Sequence, residues 1–323
     1  MTAFNVVTLC DNNYAQHACV MLASLLFHHP NQPFRIFVLV PSSFSETNKK
    51  NIMDSLSPWT PELKFIVISA PELSDLKVTD RINSATYYRL YGLDLLPSNI
   101  KIALYLDSDI IINNNILDLL NTDISNYVLA AVTDALVDKN EIVRSKLFLS
   151  EKAHYLNAGV LLINVERWRS EKIGSRALQF CISNPESITN LDQCAINYII
   201  QGKFYVLDER WNFQFHSMMR ISPYRFHPSA LKEASSAAII HFSGGNKPWL
   251  FLCEHPMKGL YFNYLKYTVW RDFTEVGRTP RNVVRKFLAV HFPAAAPRVD
   301  ATYMFGKRIL GAVVATVSRR KPV

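Results

Sequence analysis

Ile102-Ala103-Leu104-Tyr105-Leu106-Asp107-Ser108-Asp109-Ile110-Ile111-Ile112 sets an apolar run of strand length against two carboxylates separated by one residue. A run without polar alternation, Ile102 to Leu106, reads as a strand covered on both faces, as in a parallel sheet flanked by helices. Side chains alternate along extended chain, so Asp107 and Asp109 are expected on the same side. Two carboxylates that close repel unless something positive lies between them, and a hard divalent cation with oxygen ligands answers this economically. The carboxyl ends of strands in open α/β sheets are also where ligands bind. An isolated Asp-x-Asp would more often be a solvated turn. The buried run before the pair, and the isoleucines after it, favour a metal site.

Outward from this stretch the chain alternates strands and helices. Towards the N-terminus, Asn5 to Leu9 reads as a strand, Cys10 to Asn13 as a turn, and Tyr14 to His28 as a helix stopped by Pro30. Phe34 to Val40 is a second strand, Ser45 caps a second helix, and Leu63 to Ile68 is a third strand. Asn83 to Gly92 reads as a helix rich in tyrosine. Towards the C-terminus come a strand at Leu129 to Thr133, a small-residue turn at Asn157-Ala158-Gly159, and strand-like Val160 to Ile163. Helices are expected over Glu166 to Asn184 and Leu191 to Gln201, and a last strand over Ala237 to His241. This alternation predicts an α/β fold with a doubly wound layer. No Gly-x-Gly-x-x-Gly or Gly-x-x-x-x-Gly-Lys follows a strand, so any nucleotide phosphate is expected to be held by metal and side chains.

Composition bounds the function. The chain has 323 residues, 49% hydrophobic and 19% charged, which describes a globular protein. Its five cysteines are odd in number and form no Cys-x-x-Cys, so reduced buried thiols in the cytoplasm are expected. The N-terminus meets Asp11 early and has no basic region, unlike a signal peptide. The net charge of +8 is unevenly spread: residues 278–323 carry ten Lys or Arg and one acid, Asp300. The other 277 residues hold 25 basic and 26 acidic side chains. A nucleic-acid-binding domain would carry its basic residues on the folded body, so nucleic acid is not an expected partner and an anionic membrane surface is. The division expected is a folded domain at 1–277 and a basic amphipathic tail at 278–323. In that tail Thr279-Pro280 starts a helix with Val283, Val284, Phe287, Leu288 and His291 on one side and Arg281 and Arg285 opposite. A second apolar segment follows at Tyr303 to Val317. Its apolar stretch Ile309 to Val317 is nine residues, too short for a span of roughly 20, so the tail is expected to lie in the interface.

His241 ends an apolar strand before Ser-Gly-Gly, and alone it would more often be a structural histidine. With two carboxylates seeking a cation it becomes a candidate ligand, since Mn²⁺ takes mixed oxygen and nitrogen donors. Lys247, after two glycines, could be a surface lysine or the cation that neutralises a leaving phosphate. Asp192-Gln193 could simply favour a helix N-terminus.

Together these stretches resemble glycosyltransferase family 8, the retaining nucleotide-sugar transferases that include bacterial lipopolysaccharide galactosyl- and glucosyltransferases and, more distantly, glycogenin. The matching segments are Asp11 to Tyr14, Ser84 to Leu90, Leu104 to Asp109, Tyr155 to Asn164 with Trp168, Leu191 to Gln193, and His241 to Trp249, in the family's order. The resemblance implies a single nucleotide-diphosphosugar transferase domain of the GT-A type, a Rossmann-like mixed sheet flanked by helices, with a UDP-sugar donor. It implies Asp107, Asp109 and His241 as Mn²⁺ ligands. It implies Leu9, Asp11, Asn13 and Tyr14 against uracil and ribose, with Ser108 also at the donor. Arg89 would steady the donor, and Gly244 and Lys247 would form the diphosphate loop. Asp134, Asn157, Ala158, Asp192 and Gln193 would wall the transferred sugar. Ser243 and Gly245 depart from the usual pattern, in the loop that borders the acceptor.

The expected activity is transfer of a hexose from UDP-hexose to a hydroxyl of a lipopolysaccharide-type glycolipid, by a cytoplasmic enzyme held on the inner membrane by its tail. Retention would proceed by same-face attack, with Gln193 positioning the sugar. The rival readings are an aspartate-nucleophile phosphohydrolase and a catalytically silent, membrane-held nucleotide-sugar sensor.

Overall fold

The computed structural model describes residues 3–69, 84–134, 136–214, 228–245, 247–253 and 255–291. Among these, ten strands run in chain order: β1 (Phe4–Leu9), β2 (Phe34–Pro41), β3 (Glu62–Ile68), β4 (Ile102–Leu106), β5 (Ile110–Ile112), β6 (Leu129–Thr133), β7 (Leu156–Asn164), β8 (Tyr205–Val206), β9 (Phe213–Gln214) and β10 (Ile239–His241). Seven form one sheet in the order β3-β2-β1-β4-β7-β6-β8. β3, β2, β1 and β4 are parallel, β7 is antiparallel to both β4 and β6, and β8 is parallel to β6. A second, three-stranded sheet has the order β5-β10-β9. The mixed α/β architecture expected from the sequence is the one observed.

β4 is covered on both faces, as its uninterrupted apolar run requires. Ala103 and Tyr105 join Val7, Phe37 and Leu161 in one core, while Leu104 and Leu106 join Val6, Ile36 and Leu162 in the other. Each fully buried aliphatic side chain here contributes roughly 1.5–3 kcal/mol. The helix Ala15–His28 is buried along almost its whole length. It also holds the chain beyond β4: Ser24 Oγ accepts from Ile112 N at 2.9 Å and His29 Nε2 from Ile116 N at 2.9 Å. The helix Glu46–Leu56 is capped as expected, Ser45 Oγ accepting from Asn48 N at 3.1 Å. All five cysteines are buried free thiols.

Three readings of the sequence are corrected. Asn157-Ala158-Gly159 is not a turn but the buried start of β7. The strand tolerates a glycine because another side chain needs the space: a Cβ on Gly159 would lie 2.3 Å from His241 Cε1. The single helix expected over Glu166 to Asn184 is two, Val165–Ser170 and Ile173–Ser183, broken at Lys172 with φ 54°. The break brings Gly174 against the Leu90 carbonyl, where an added Cβ would lie 2.2 Å from oxygen. The last strand starts at Ile239 instead of Ala237, because the Ala237 N–H still bonds back to Glu233 O at 2.9 Å.

The chain divides into two compact units, residues 1–248 with 255–273, and 249–254 with 274–323. In the second, Phe251 N donates to Val276 O at 2.9 Å, and Lys286 Nζ donates to Phe251 O at 3.0 Å while lying 4.6 Å above its ring. The helix Pro280–His291 starts where the sequence put it, Thr279 Oγ1 accepting from Asn282 N at 3.2 Å. Val283, Val284 and Phe287 are exposed. The apolar segment Tyr303 to Val317 lies outside the described residues. No helix among the described residues is long and apolar enough to cross a membrane.

Candidate active site

The site forms where the chain leaves the large sheet for the small one. After β4 the backbone turns through Ser108 and Asp109 and enters β5. Asp107 N donates to Gly159 O at 2.9 Å, and Asp109 O accepts from Phe242 N at 3.0 Å. The two carboxylates thus meet through a turn clamped at both ends, not through strand alternation. His241 ends β10, which pairs with β5 in a register that sets His241 opposite Ile110. One ligand atom from each of Asp107, Asp109 and His241 lies within 4.8 Å of the others.

Charge explains how three such groups share the space. His241 Nε2 stands 3.4 Å from Asp109 Oδ1, and Lys247 Nζ donates to Asp109 Oδ2 and, at 2.9 Å, to Phe242 O. Burial opposes ionisation of Asp109, but His241 and Lys247 outweigh it and hold the carboxyl well below its ordinary range. Asp107 Oδ1 accepts from Tyr105 Oη at 2.8 Å and faces Arg89 Nη1 at 3.5 Å. Arg89 also donates to Ala158 O at 2.5 Å and pairs with Asp192, Nε lying 2.5 Å from Oδ2. Burial pushes the Asp192 carboxyl up to about 6 against the pull of Arg89. Two carboxylates and an imidazole at this spacing suit a divalent metal that accepts oxygen and nitrogen donors, and the residues present fit such an ion.

Leu9, Asp11, Tyr14, Arg89, Asp107, Ser108, Asp109, Asp192 and Lys247 line one cavity of about 400 Å³ at the carboxyl ends of β1 and β4. Cys10, Pro41, Ser43, Tyr88, Tyr105 and Leu191 complete its lining. Asn13 is exposed and does not line it; its N–H donates to Asp11 Oδ1 at 2.9 Å and shapes the turn. Gly244 has φ +79°, a conformation that glycine adopts freely, in the loop leading to Lys247. Asp134, Asn157 and Gln193 form a separate cluster: Asp134 Oδ2 accepts from Asn157 Nδ2 and from Gln193 Nε2, each at 3.0 Å. Gln193 Oε1 accepts from Ala158 N at 2.9 Å. A register shift between β6 and β7 at Ala131/Thr133 accompanies the placement of Asp134, whose N–H donates to Tyr155 O at 2.8 Å.

Beside the candidate ligands, Tyr105, Asn212 and Gln214 were not anticipated. Tyr105 lies two positions before Asp107, and the strand's period could have pointed to it. Asn212 and Gln214 carry no sequence signal, since their nearness to His241 comes from the pairing of β9 with β10.

Residues 5–253 match the model of glycosyl transferase family 8. General stress protein A of Bacillus subtilis is 29% identical over 276 residues, 82% of this chain and 94% of that protein. The lipopolysaccharide 1,3-galactosyltransferase of Salmonella typhimurium is 24% identical, covering 83% of this chain and 79% of its own. Among solved structures, the galactosyltransferase LgtC with donor and acceptor sugar analogues superposes with a TM-score of 0.72 at 24% identity, over 88% of this chain and 100% of that one. The match spans the whole site from Leu9 to Lys247, and the chain belongs to glycosyltransferase family 8.

Proposed function

We propose that this protein is a metal-dependent, retaining hexosyltransferase that moves galactose or glucose from a UDP-sugar to a hydroxyl of a lipopolysaccharide-type glycan. The observation that carries this reading is the convergence of Asp107, Asp109, His241 and Lys247 at one end of a cavity sized for a nucleotide. Leu9, Asp11 and Tyr14 offer the wall for uracil and ribose. Asp107, Asp109 and His241 would hold Mn²⁺, which when bound neutralises charge on the departing diphosphate. Lys247, on its glycine-bearing loop, adds a second positive group there. A double displacement needs a free carboxylate near the sugar. Asp192 is paired with Arg89, and both Asp134 oxygens are engaged, Oδ1 by Val137 N at 3.0 Å and Oδ2 by Asn157 and Gln193. Same-face attack, with Gln193 positioning the sugar and the leaving phosphate accepting the acceptor's proton, fits this arrangement better. The lipopolysaccharide galactosyltransferase of Salmonella typhimurium supports the acceptor class. The basic helix Pro280–His291, with Val283, Val284 and Phe287 exposed, supports a cytoplasmic enzyme resting on an anionic inner leaflet, with the tail of 278–323 as its membrane contact.

The test is UDP release from UDP-galactose and UDP-glucose, with and without a lipooligosaccharide acceptor. Release should need Mn²⁺ and acceptor, and Asp109→Asn should lower it at least ~100-fold, since such a metal stabilises the transition state by several kcal/mol. Full activity in EDTA would sink the metal assignment. Binding of UDP-sugar without release from any donor and acceptor pair would make the protein a silent nucleotide-sugar binder.

A further inference from the structure

Asn212 does not line the cavity, yet it is 0% exposed and its amide touches a candidate metal ligand. His241 Nδ1 lies 2.8 Å from Asn212 Oδ1, Asn212 Nδ2 lies 2.8 Å from Asn157 Oδ1, and Asn157 Nδ2 lies 3.0 Å from Asp134 Oδ2. Asp134 Oδ2 also accepts from Gln193. One line of hydrogen bonds therefore runs from the metal ligand to the wall proposed for the transferred sugar.

The protons along this line can be assigned from its far end. Gly159 N–H donates to Asn157 Oδ1 at 3.0 Å and the Asp134 carboxylate accepts from the opposite end of the same amide, so Asn157 can be oriented only one way. Asn157 Oδ1 must then accept from the Asn212 NH₂ group, which turns the Asn212 carbonyl oxygen towards His241. A carbonyl only accepts, so a ring proton sits on Nδ1, which leaves Nε2, 3.4 Å from Asp109 Oδ1, as the nitrogen to serve a cation shared with that carboxylate. The opposite tautomer would set two lone pairs against each other in a buried site.

We propose that Asn212 is a positioning residue that holds His241 as the Nδ1–H tautomer, presenting Nε2 to the cation shared with Asp107 and Asp109, and couples that ligand through Asn157 to Asp134 and Gln193. The proposal rests on the metal reading above. Groups that orient a metal-bound histidine typically matter by 10–100-fold in metal affinity. Asn212 does so with an amide because it must also donate onward to Asn157, which a carboxylate cannot do. Gly159 serves the same end, since its missing side chain makes room for the ring.

The test uses the full-length protein and Mn²⁺ alone, with free Mn²⁺ read by electron paramagnetic resonance. Long-range ¹H–¹⁵N spectra of ¹⁵N-histidine-labelled protein at alkaline pH report the tautomer, the His241 signals being those lost in His241→Gln. Wild type should show His241 protonated on Nδ1. Asn212→Leu should lose that signature and weaken Mn²⁺ binding ~10–100-fold. Asn212→Asp keeps an acceptor for Nδ1, so it should keep the tautomer and bind Mn²⁺ much as wild type does, while turnover falls because Asn157 loses its donor. Wild-type His241 with no proton on Nδ1, or Asn212→Leu with wild-type Mn²⁺ affinity, overturns the proposal. If Asn212→Leu does not fold, the wild-type spectrum decides alone. Wild-type protein that binds no Mn²⁺ overturns the metal assignment, and the tautomer then still tests what Asn212 does to the ring.

Discussion

Lys247 donates to Asp109 at the point where the carboxylates converge, so in the metal-free protein it neutralises charge that a divalent ion would otherwise meet. Lys247→Met should therefore tighten binding of Mn²⁺ alone while slowing transfer. Losing one such contact to developing charge costs about 2.7–4 kcal/mol, or ~10²–10³ in kcat. Titration with Mn²⁺ and steady-state kinetics check the two halves, and an unchanged kcat would reduce Lys247 to a binding group. Gly159 makes a second test. Gly159→Ala sets a methyl 2.3 Å from His241 Cε1, so the ring must move and Mn²⁺ affinity should fall. Overpacking a buried strand also destabilises by about 1–3 kcal/mol, readable in urea unfolding. Wild-type metal affinity in that variant would show that the ring has slack. Asp107 and Asp109 were legible in the sequence because carboxylates at the end of a buried strand stand out against their surroundings, whereas Lys247 was marked only by the family resemblance. Asn212 was not, since a buried amide in a loop looks like any turn residue.

At the scale of elements, the helix Ala15–His28 is tied to the helix Lys258–Leu265 by polar contacts. Tyr261 Oη accepts from Gln16 Nε2 at 2.8 Å and meets His17 Nδ1 at 2.7 Å, so the phenol donates to a neutral imidazole. Burial lowers the His17 pKa to about 4. In the unfolded chain His17 takes a proton below its ordinary value of 6.5, whereas the folded state resists protonation until about 4. The unfolded state thus binds more protons in that window, and stability is present above pH 6.5 and falls as pH drops towards 4. The loss from this residue is at most about 3 kcal/mol. His17→Gln should flatten the acid side of the stability curve, measured by urea unfolding between pH 7.5 and pH 4.5. An identical slope in the variant would show that His17 takes up its proton alike in the folded and unfolded states. The strand and helix alternation was legible, because period and end signals are local. The break at Lys172 was not, because it answers to the Leu90 carbonyl, about eighty residues earlier in the chain.

For the whole molecule, charge is the property that matters most beyond the site. The first 277 residues are nearly neutral and the excess lies in 278–323. Near an anionic leaflet each Lys or Arg contributes about 1 kcal/mol, so several hold a protein reversibly. Full-length protein should sediment with phosphatidylserine vesicles at low salt and leave them at high salt. Replacing Arg281, Arg285, Arg298, Lys307, Arg308, Arg319, Arg320 and Lys321 by Gln should abolish sedimentation without lowering transfer to a water-soluble acceptor. Lys286 is left in place because it holds Phe251. Equal sedimentation of both proteins would rule the tail out as the membrane contact.

The α/β class, the central buried strand, the carboxylate pair at its end and the family are all written in contiguous stretches of residues. How the pair converges comes from the folded chain, because the turn between two sheets sets its geometry. Folding likewise pairs Asp192 with Arg89 and links His241 to Asp134 through Asn212 and Asn157. Hydrogen bonds between residues 23 to 103 positions apart have no local pattern. They exist only once strand pairing has brought the chain segments together.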